Sequence, residues 1–155
     1  MSHQVAQRNI KACCYSSCIK ILSADQELID AATQIINDLY KHDRHQVGAA
    51  LRTKSGRIVT AVNVDAYVGR VGVCAEAIAL GRMIAEGESE FTSIVAVYHP
   101  RPDSEDRAPY VVSPCGVCRE MLSDYCPDAT VMYVEADEVK KSTVASLLPG
   151  KYVKR

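Results

Sequence analysis

Two helix starts that lie far apart in this chain carry the same kind of ligand, and that constrains the fold more than any other feature. In "PCGVC", residues 114–118, Cys118 follows Cys115 at i+3, so one helical turn places both sulfurs on the same face. In "GVCAEAIALG", residues 72–81, the stretch from Ala75 onward reads as a small-residue helix made for burial, yet its first turn carries Cys74 and Glu76. A helix N-terminus favours negative charge, which helps hold thiolates. If Cys74, Cys115 and Cys118 serve one cation, the chain between them must fold so that the two helix starts meet.

The spacing suits zinc, which takes thiolate ligands at about 2.3 Å in a tetrahedral shell. Three cysteines leave one position open, which separates a catalytic zinc from a closed structural one. A water held there has a pKa lowered to about 7 in known catalytic sites. Glu76, two residues past Cys74, points to a different side of the helix and reaches that water or a substrate without ligating the metal. A carboxylate so placed can take a proton and pass it to a leaving group. A non-ligating glutamate followed by P-C-x-x-C is the arrangement of zinc deaminases, which hydrolyse an aminopyrimidine. The competing reading is a closed zinc site with His99, Cys126 or His45 as fourth ligand, and it leaves Glu76 without a role.

Bulk properties set the frame. A chain of 155 residues, 48% hydrophobic and 24% charged, suits one domain with a real core. A net charge of -1 attracts neither nucleic acid nor an anionic membrane, and Lys140-Lys141 and Lys154-Arg155 read as solvated surface. No apolar run approaches the roughly 20 residues that span a bilayer. Seven cysteines, an odd number without a secretory signal, argue against a disulfide framework and for a cytoplasmic protein with metal-binding thiols. Residues 1–24 read as an N-terminal extension containing Cys13, Cys14 and Cys18. Lacking acids, it loosely fits a transit peptide as well as a packing segment. Residues 25–155 read as a single catalytic domain.

Along that domain, Ser23 and Gln26 resemble a capping box, followed by apolar residues at helical spacing over 24–41. Strands are expected at 47–53 and 57–64 around "KSG", then a glycine-containing loop, "AYVGRVG". A helix over 74–86 stopping at Gly87 and a strand at 94–98 come next. Residues 99–109, with three prolines, read as a surface loop. Ser113-Pro114 then reads as a helix opening, a cap-type residue before a proline, with that helix running to about Tyr125. A strand at 131–134 and a short helix near 143–148 close the chain. This order predicts an α/β fold in three α/β/α layers around a mixed, about five-stranded sheet.

At "HQVGAALRTKSGRIVTAVNVD", "VCAEA", "SPCGVCREML" and "SLLPGKY" the chain resembles the cytidine deaminase family. The resemblance implies hydrolytic deamination of cytidine or deoxycytidine, with Cys74, Cys115 and Cys118 holding Zn2+ and Glu76 moving the proton. It also implies a five-stranded sheet flanked by helices and a homotetramer with shared active sites. "NVD" resembles the family's Asn-x-Glu, which makes Asn63 and Asp65 the ribose contacts, with Asp65 one methylene shorter. Tyr152, in "LLPGKY", resembles the aromatic residue that reaches a neighbouring subunit's pocket; it reads equally as a surface tyrosine.

Three departures stand out. Many relatives have arginine where this chain has Ala77, so another donor must balance three thiolates, and Arg119 beside Cys118 is the candidate. His45 replaces a frequent phenylalanine at the nucleoside pocket and is either a substrate contact or a loop histidine. The 99–109 loop is longer than usual. Ala77 and the "LLPGKYV" ending also resemble blasticidin-S deaminase, an antibiotic-inactivating relative. The longer "DAYVGRVGV" loop and Asp65 weight the reading toward cytidine. Less favoured are deamination of nucleic acid and a non-catalytic zinc protein.

Overall fold

The structure, a computed structural model, describes residues 21–154. The extension's cysteines and its transit-peptide reading lie outside the described residues. Helix α1, Ser23–Leu39, packs its buried Leu28, Ala32 and Ile36 against one face of the sheet. Helices α2, Ala75–Ala85, and α3, Gly116–Tyr125, cover the other. The strands are β1, Val47–Thr53; β2, Ile58–Val62; β3, Phe91–Tyr98; β4, Tyr110–Val112; β5, Thr130–Glu135; and β6, Glu138–Thr143. Their order is β2-β1-β3-β5-β6, with β4 also paired to β3. The β3–β5 pair is parallel and the other pairs are antiparallel, so the sheet is mixed, in the expected three layers. No described helix is long and apolar enough to cross a membrane.

Strand alternation sorts the two cores. Ala49 and Leu51 of β1, Ile94 of β3 and Val131 of β5 face α2 and α3, while Ala50, Val95, Val97 and Met132 face α1. Each fully buried large apolar side chain contributes about 1.5–3 kcal/mol. On the α1 side one position has no room for any side chain. A Cβ at Gly48 would lie 2.5 Å from the Ala32 carbonyl oxygen and 2.9 Å from Ile36 Cβ. Gly48→Ala is therefore expected to lower the unfolding free energy by about 1–3 kcal/mol, measured by urea denaturation, because backbone must move.

Several expectations are corrected. The first cap is Leu22, whose backbone N–H donates to Asp25 Oδ2 at 2.7 Å; Asp25, not Gln26, closes the box, and Ser23 is already helical. Asp25 also binds Lys141 at 2.5 Å, so Lys141, with a side chain only 5% exposed, is no solvated residue but ties β6 to α1. Ser113 does not cap α3. Its hydroxyl donates to Val134 O and accepts from Val134 N, both at 3.0 Å, stitching β4 to β5. Cys115 is the true cap of α3. The final helix is a short 3-10 turn, Ala145–Leu147, and the strands β4 and β6 were not expected.

Candidate active site

Both chemistry-bearing helices begin at a cysteine. Cys74 caps α2 and its carbonyl accepts the N–H groups of Ala77 and Ile78 at 3.1 and 3.2 Å. Cys115 caps α3 with its sulfur, which accepts from the Cys118 N–H at 3.5 Å. The two helices lie on one side of the sheet, so their starts converge. The Cys74 and Cys115 sulfurs are 3.7 Å apart, and all three sulfurs lie within 4.8 Å of one another. Two thiolates about 2.3 Å from one tetrahedral zinc would be about 3.8 Å apart, so the donors fit that ion.

Among the described residues no histidine, carboxylate or further cysteine joins this cluster. The three candidates for a fourth ligand lie outside the cluster, each with a bond of its own. His45 Nδ1 lies 2.7 Å from Asn63 O, His99 Nδ1 lies 2.8 Å from Pro100 O, and Cys126 Sγ accepts from Phe91 N at 3.4 Å. The set is a three-sulfur one with an open side.

The surroundings of the three thiols differ. Burial pushes the Cys74 thiol up to about 11, reinforced by Cys115. Burial, with the Glu76 charge next, also pushes Cys118 up. Burial acts upward on Cys115 too, but hydrogen bonding from Cys118 and from the Val117 backbone, together with the neighbouring thiols, brings it below the ordinary thiol range. A coordinated cation overrides such differences, because a coordinating thiol is deprotonated outright.

Glu76 is 6% exposed, on the first turn of α2. Burial raises its carboxyl above the usual range, opposed by its own backbone N–H and the Cys118 thiol. It lines an open cavity of about 440 Å3 together with Cys74 and Cys115, a size suited to a small ligand. The far wall comes from Asn63, Asp65, Gly69 and Gly72, with Gln46, Tyr98 and Ser113 completing it. Asn63 and Asp65 are thus brought to the cavity with Glu76. Asn63 is tightly held: Oδ1 accepts from Gln46 N and Val47 N at 2.8 and 2.9 Å, and Nδ2 donates to Arg44 O at 3.3 Å. That leaves one amide hydrogen for a ligand.

His45 is not a lining residue, since its ring turns to the Asn63 carbonyl. Tyr152 is 78% exposed and lies outside this chain's own cavity. Arg119 donates to Pro114 O at 2.9 Å and Leu147 O at 3.4 Å, bracing the residue before Cys115 rather than bonding a sulfur. The Val117 and Cys118 backbone amides favour the Cys115 thiolate, as expected of a helix start. Gln46 and Ser113 were missed as lining residues and carried no signal in the sequence.

The family described as the cytidine and deoxycytidylate deaminase zinc-binding region matches residues 22–134. The chain is 49% identical over 134 residues to a blasticidin-S deaminase of Bacillus cereus, covering 86% of this chain and 96% of that protein. It is 32% identical over 130 residues to a cytidine deaminase of Halalkalibacterium halodurans, covering 82% and 92%. The crystal structure of the cytidine deaminase from Bacillus anthracis superposes with a TM-score of 0.68 at 25% identity, over 82% of this chain and 88% of that one.

Proposed function

Because the chain belongs to the cytidine and deoxycytidylate deaminase family, we propose that its substrate is a modified, antibiotic-type cytosine nucleoside of the blasticidin-S class. At the coarser level it is a zinc-dependent hydrolase that deaminates a cytosine-type nucleoside. The observation that carries the finer reading is the 49% identity to a blasticidin-S deaminase along 96% of that protein, against 32% to a cytidine deaminase. This outweighs the weighting toward cytidine drawn from loop length and Asp65. Cytidine or deoxycytidine is the second reading, supported by Asn63 and Asp65 at the cavity.

Cys74, Cys115 and Cys118 would hold Zn2+, with the sulfur spacing as support. When bound, zinc supplies Lewis acidity and makes water a nucleophile near neutral pH. Glu76 would take a proton from the water and deliver it to N3 of the base as the C4–O bond forms, then take the second proton from the new C4 hydroxyl and give it to the amine as the C4–N bond breaks, leaving a C4 carbonyl and ammonia. Its buried place on a helix keeps that path short and excludes competing solvent. Asn63 and Asp65 bind the sugar end, and His45 positions Asn63 through its carbonyl. Arg119 steadies the α3 start, while the Val117 and Cys118 amides offset thiolate charge in place of the arginine absent at Ala77.

The assembly is a homo-oligomer, a tetramer by family resemblance, in which Tyr152 reaches a neighbour's site. Supporting it are exposed apolar side chains at Tyr110, Val117, Tyr152 and Val153, which another copy would cover. Neither nucleic acid nor membrane is a partner in this reading, and residues 25–155 act as one domain.

Ammonia release from the zinc-loaded protein tests the function, with cytidine, deoxycytidine, cytosine, N4-substituted cytidines and blasticidin S as substrates. The expected result is a kcat/KM for blasticidin S at least about tenfold above cytidine, or about 1.4 kcal/mol. Preference for cytidine would establish the second reading, and no ammonia from any substrate would overturn the deaminase assignment.

A further inference from the structure

Residues 65–72 form a loop that walls one side of the cavity with almost no packing of its own. Its base is closed by Val64 and Val73, whose N–H groups donate to each other's carbonyls at 2.9 Å. Inside it, Val71 N donates to Val68 O at 3.0 Å and Gly72 N to Gly69 O at 3.2 Å. Its large side chains face outward, with Tyr67 96%, Val68 63% and Val71 59% exposed. A segment with few buried contacts and exposed hydrogen bonds opens easily. Yet Asp65, Gly69 and Gly72 must stay in place to line the cavity.

One residue outside the loop grips it at several points. Arg44 lies in a tight turn, its N–H and that of His45 both donating to Lys41 O at 2.9 Å, with Asp43 at φ 58. The Arg44 carbonyl accepts from Asp65 N and from Asn63 Nδ2, each at 3.3 Å. Its guanidinium returns to the same loop, donating from Nη1 to Asp65 O at 3.3 Å, and its Cζ lies 4.5 Å from the centre of the Tyr67 ring. Main chain and side chain of Arg44 thus bracket the peptide units on both sides of the Asp65 side chain.

We propose that Arg44 is a positioning residue for the nucleoside site. It holds the 65–72 loop in the conformation that presents Asp65 to the sugar end of the substrate. It touches neither base nor metal and acts through the loop. The idea rests on the deaminase reading for its kinetic consequence, but not for its structural one.

The test uses the full-length, zinc-loaded protein and three variants, Arg44→Ala, Arg44→Gln and Arg44→Lys. Hydrogen exchange of the 65–73 amides is expected to accelerate about fivefold to thirtyfold in Arg44→Ala, the factor one surface cation–π contact and one hydrogen bond together supply. Because binding needs the ordered loop, KM for the preferred nucleoside rises about threefold to tenfold, while kcat changes less than about twofold. Arg44→Lys, which keeps a cation over Tyr67, recovers part of both effects, and Arg44→Gln does not. Adding Tyr67→Ala to Arg44→Ala brings little further change, since the two act as a unit. Unaltered exchange at 65–73 in Arg44→Ala overturns the proposal whatever the kinetics show. A fall in kcat with KM unmoved also overturns it. If the wild type releases no ammonia from any nucleoside, the functional reading fails, and the exchange measurement still decides for or against Arg44.

Discussion

Glu76→Gln is expected to bind zinc at wild-type stoichiometry and to lose turnover by about 10^2- to 10^4-fold, the range that a positioned acid–base group contributes. The substitution is nearly isosteric. Glu76 is buried on the first turn of α2 and packs in the wall of the cavity, so the amide leaves volume, helix and wall as they were. It is not one of the three grouped ligands, so metal affinity has no reason to fall. What the amide cannot do is accept a proton from water and give it up again. Metal content by elemental analysis and ammonia release on the same sample separate the two effects. Activity within a few-fold of wild type would remove Glu76 from the mechanism.

Cys115→Ala is expected to lose the metal and, with it, both activity and part of the stability. This cysteine discriminates better than its neighbours. Cys118 is 1% exposed and belongs to the core around α2 and α3, so truncating it removes packing as well as a ligand. Cys115 is exposed, and alanine there opens no cavity. Any loss of stability in Cys115→Ala beyond its cap bond to the Cys118 N–H therefore comes from the metal. With free zinc at 1,000 times Kd, linkage alone is worth about 4 kcal/mol. Thermal unfolding with and without a chelator measures it: the wild type should shift downward when zinc is stripped, and Cys115→Ala should not respond. Full zinc occupancy in the variant would contradict the ligand assignment.

The proposed site residues were legible because their spacing is local. A turn of helix fixes Cys115 against Cys118, and two residues separate Cys74 from Glu76. That both helices start at one place was an inference from chemistry, and the sulfur separation of 3.7 Å bears it out. The elements missed are those decided by distant partners. Strand β6 has no alternating pattern, and it follows a turn at Ala136 and Asp137 with φ of 52° and 62°. Alanine is an unusual occupant of that region, so no turn signal stood there. Lys141 looked solvated because only the fold brings Asp25 to it. Ser113 followed by proline is an ordinary helix opening, overridden by its pairing with Val134. The weighting toward cytidine rested on the length of one loop and one acid, whereas the 49% identity to a blasticidin-S deaminase extends over 86% of the chain and supports the antibiotic-type alternative better.

The cavity is made of two materials. The half bearing the thiols and Glu76 is built from helix starts seated on a closely packed sheet, where even Gly48 on the opposite face admits no methyl group. Part of the facing wall is the 65–72 loop, which contributes Asp65, Gly69 and Gly72 and whose large side chains face outward and anchor nothing in the core. Substitutions can therefore accumulate in the loop at little cost to folding, while the same changes in β1 would be eliminated by instability before they could be tested for function. With Asp65 at the sugar end as proposed, a chain built this way can change the molecule it accepts faster than the reaction it performs, and a library aimed at new substrates belongs at residues 65–72.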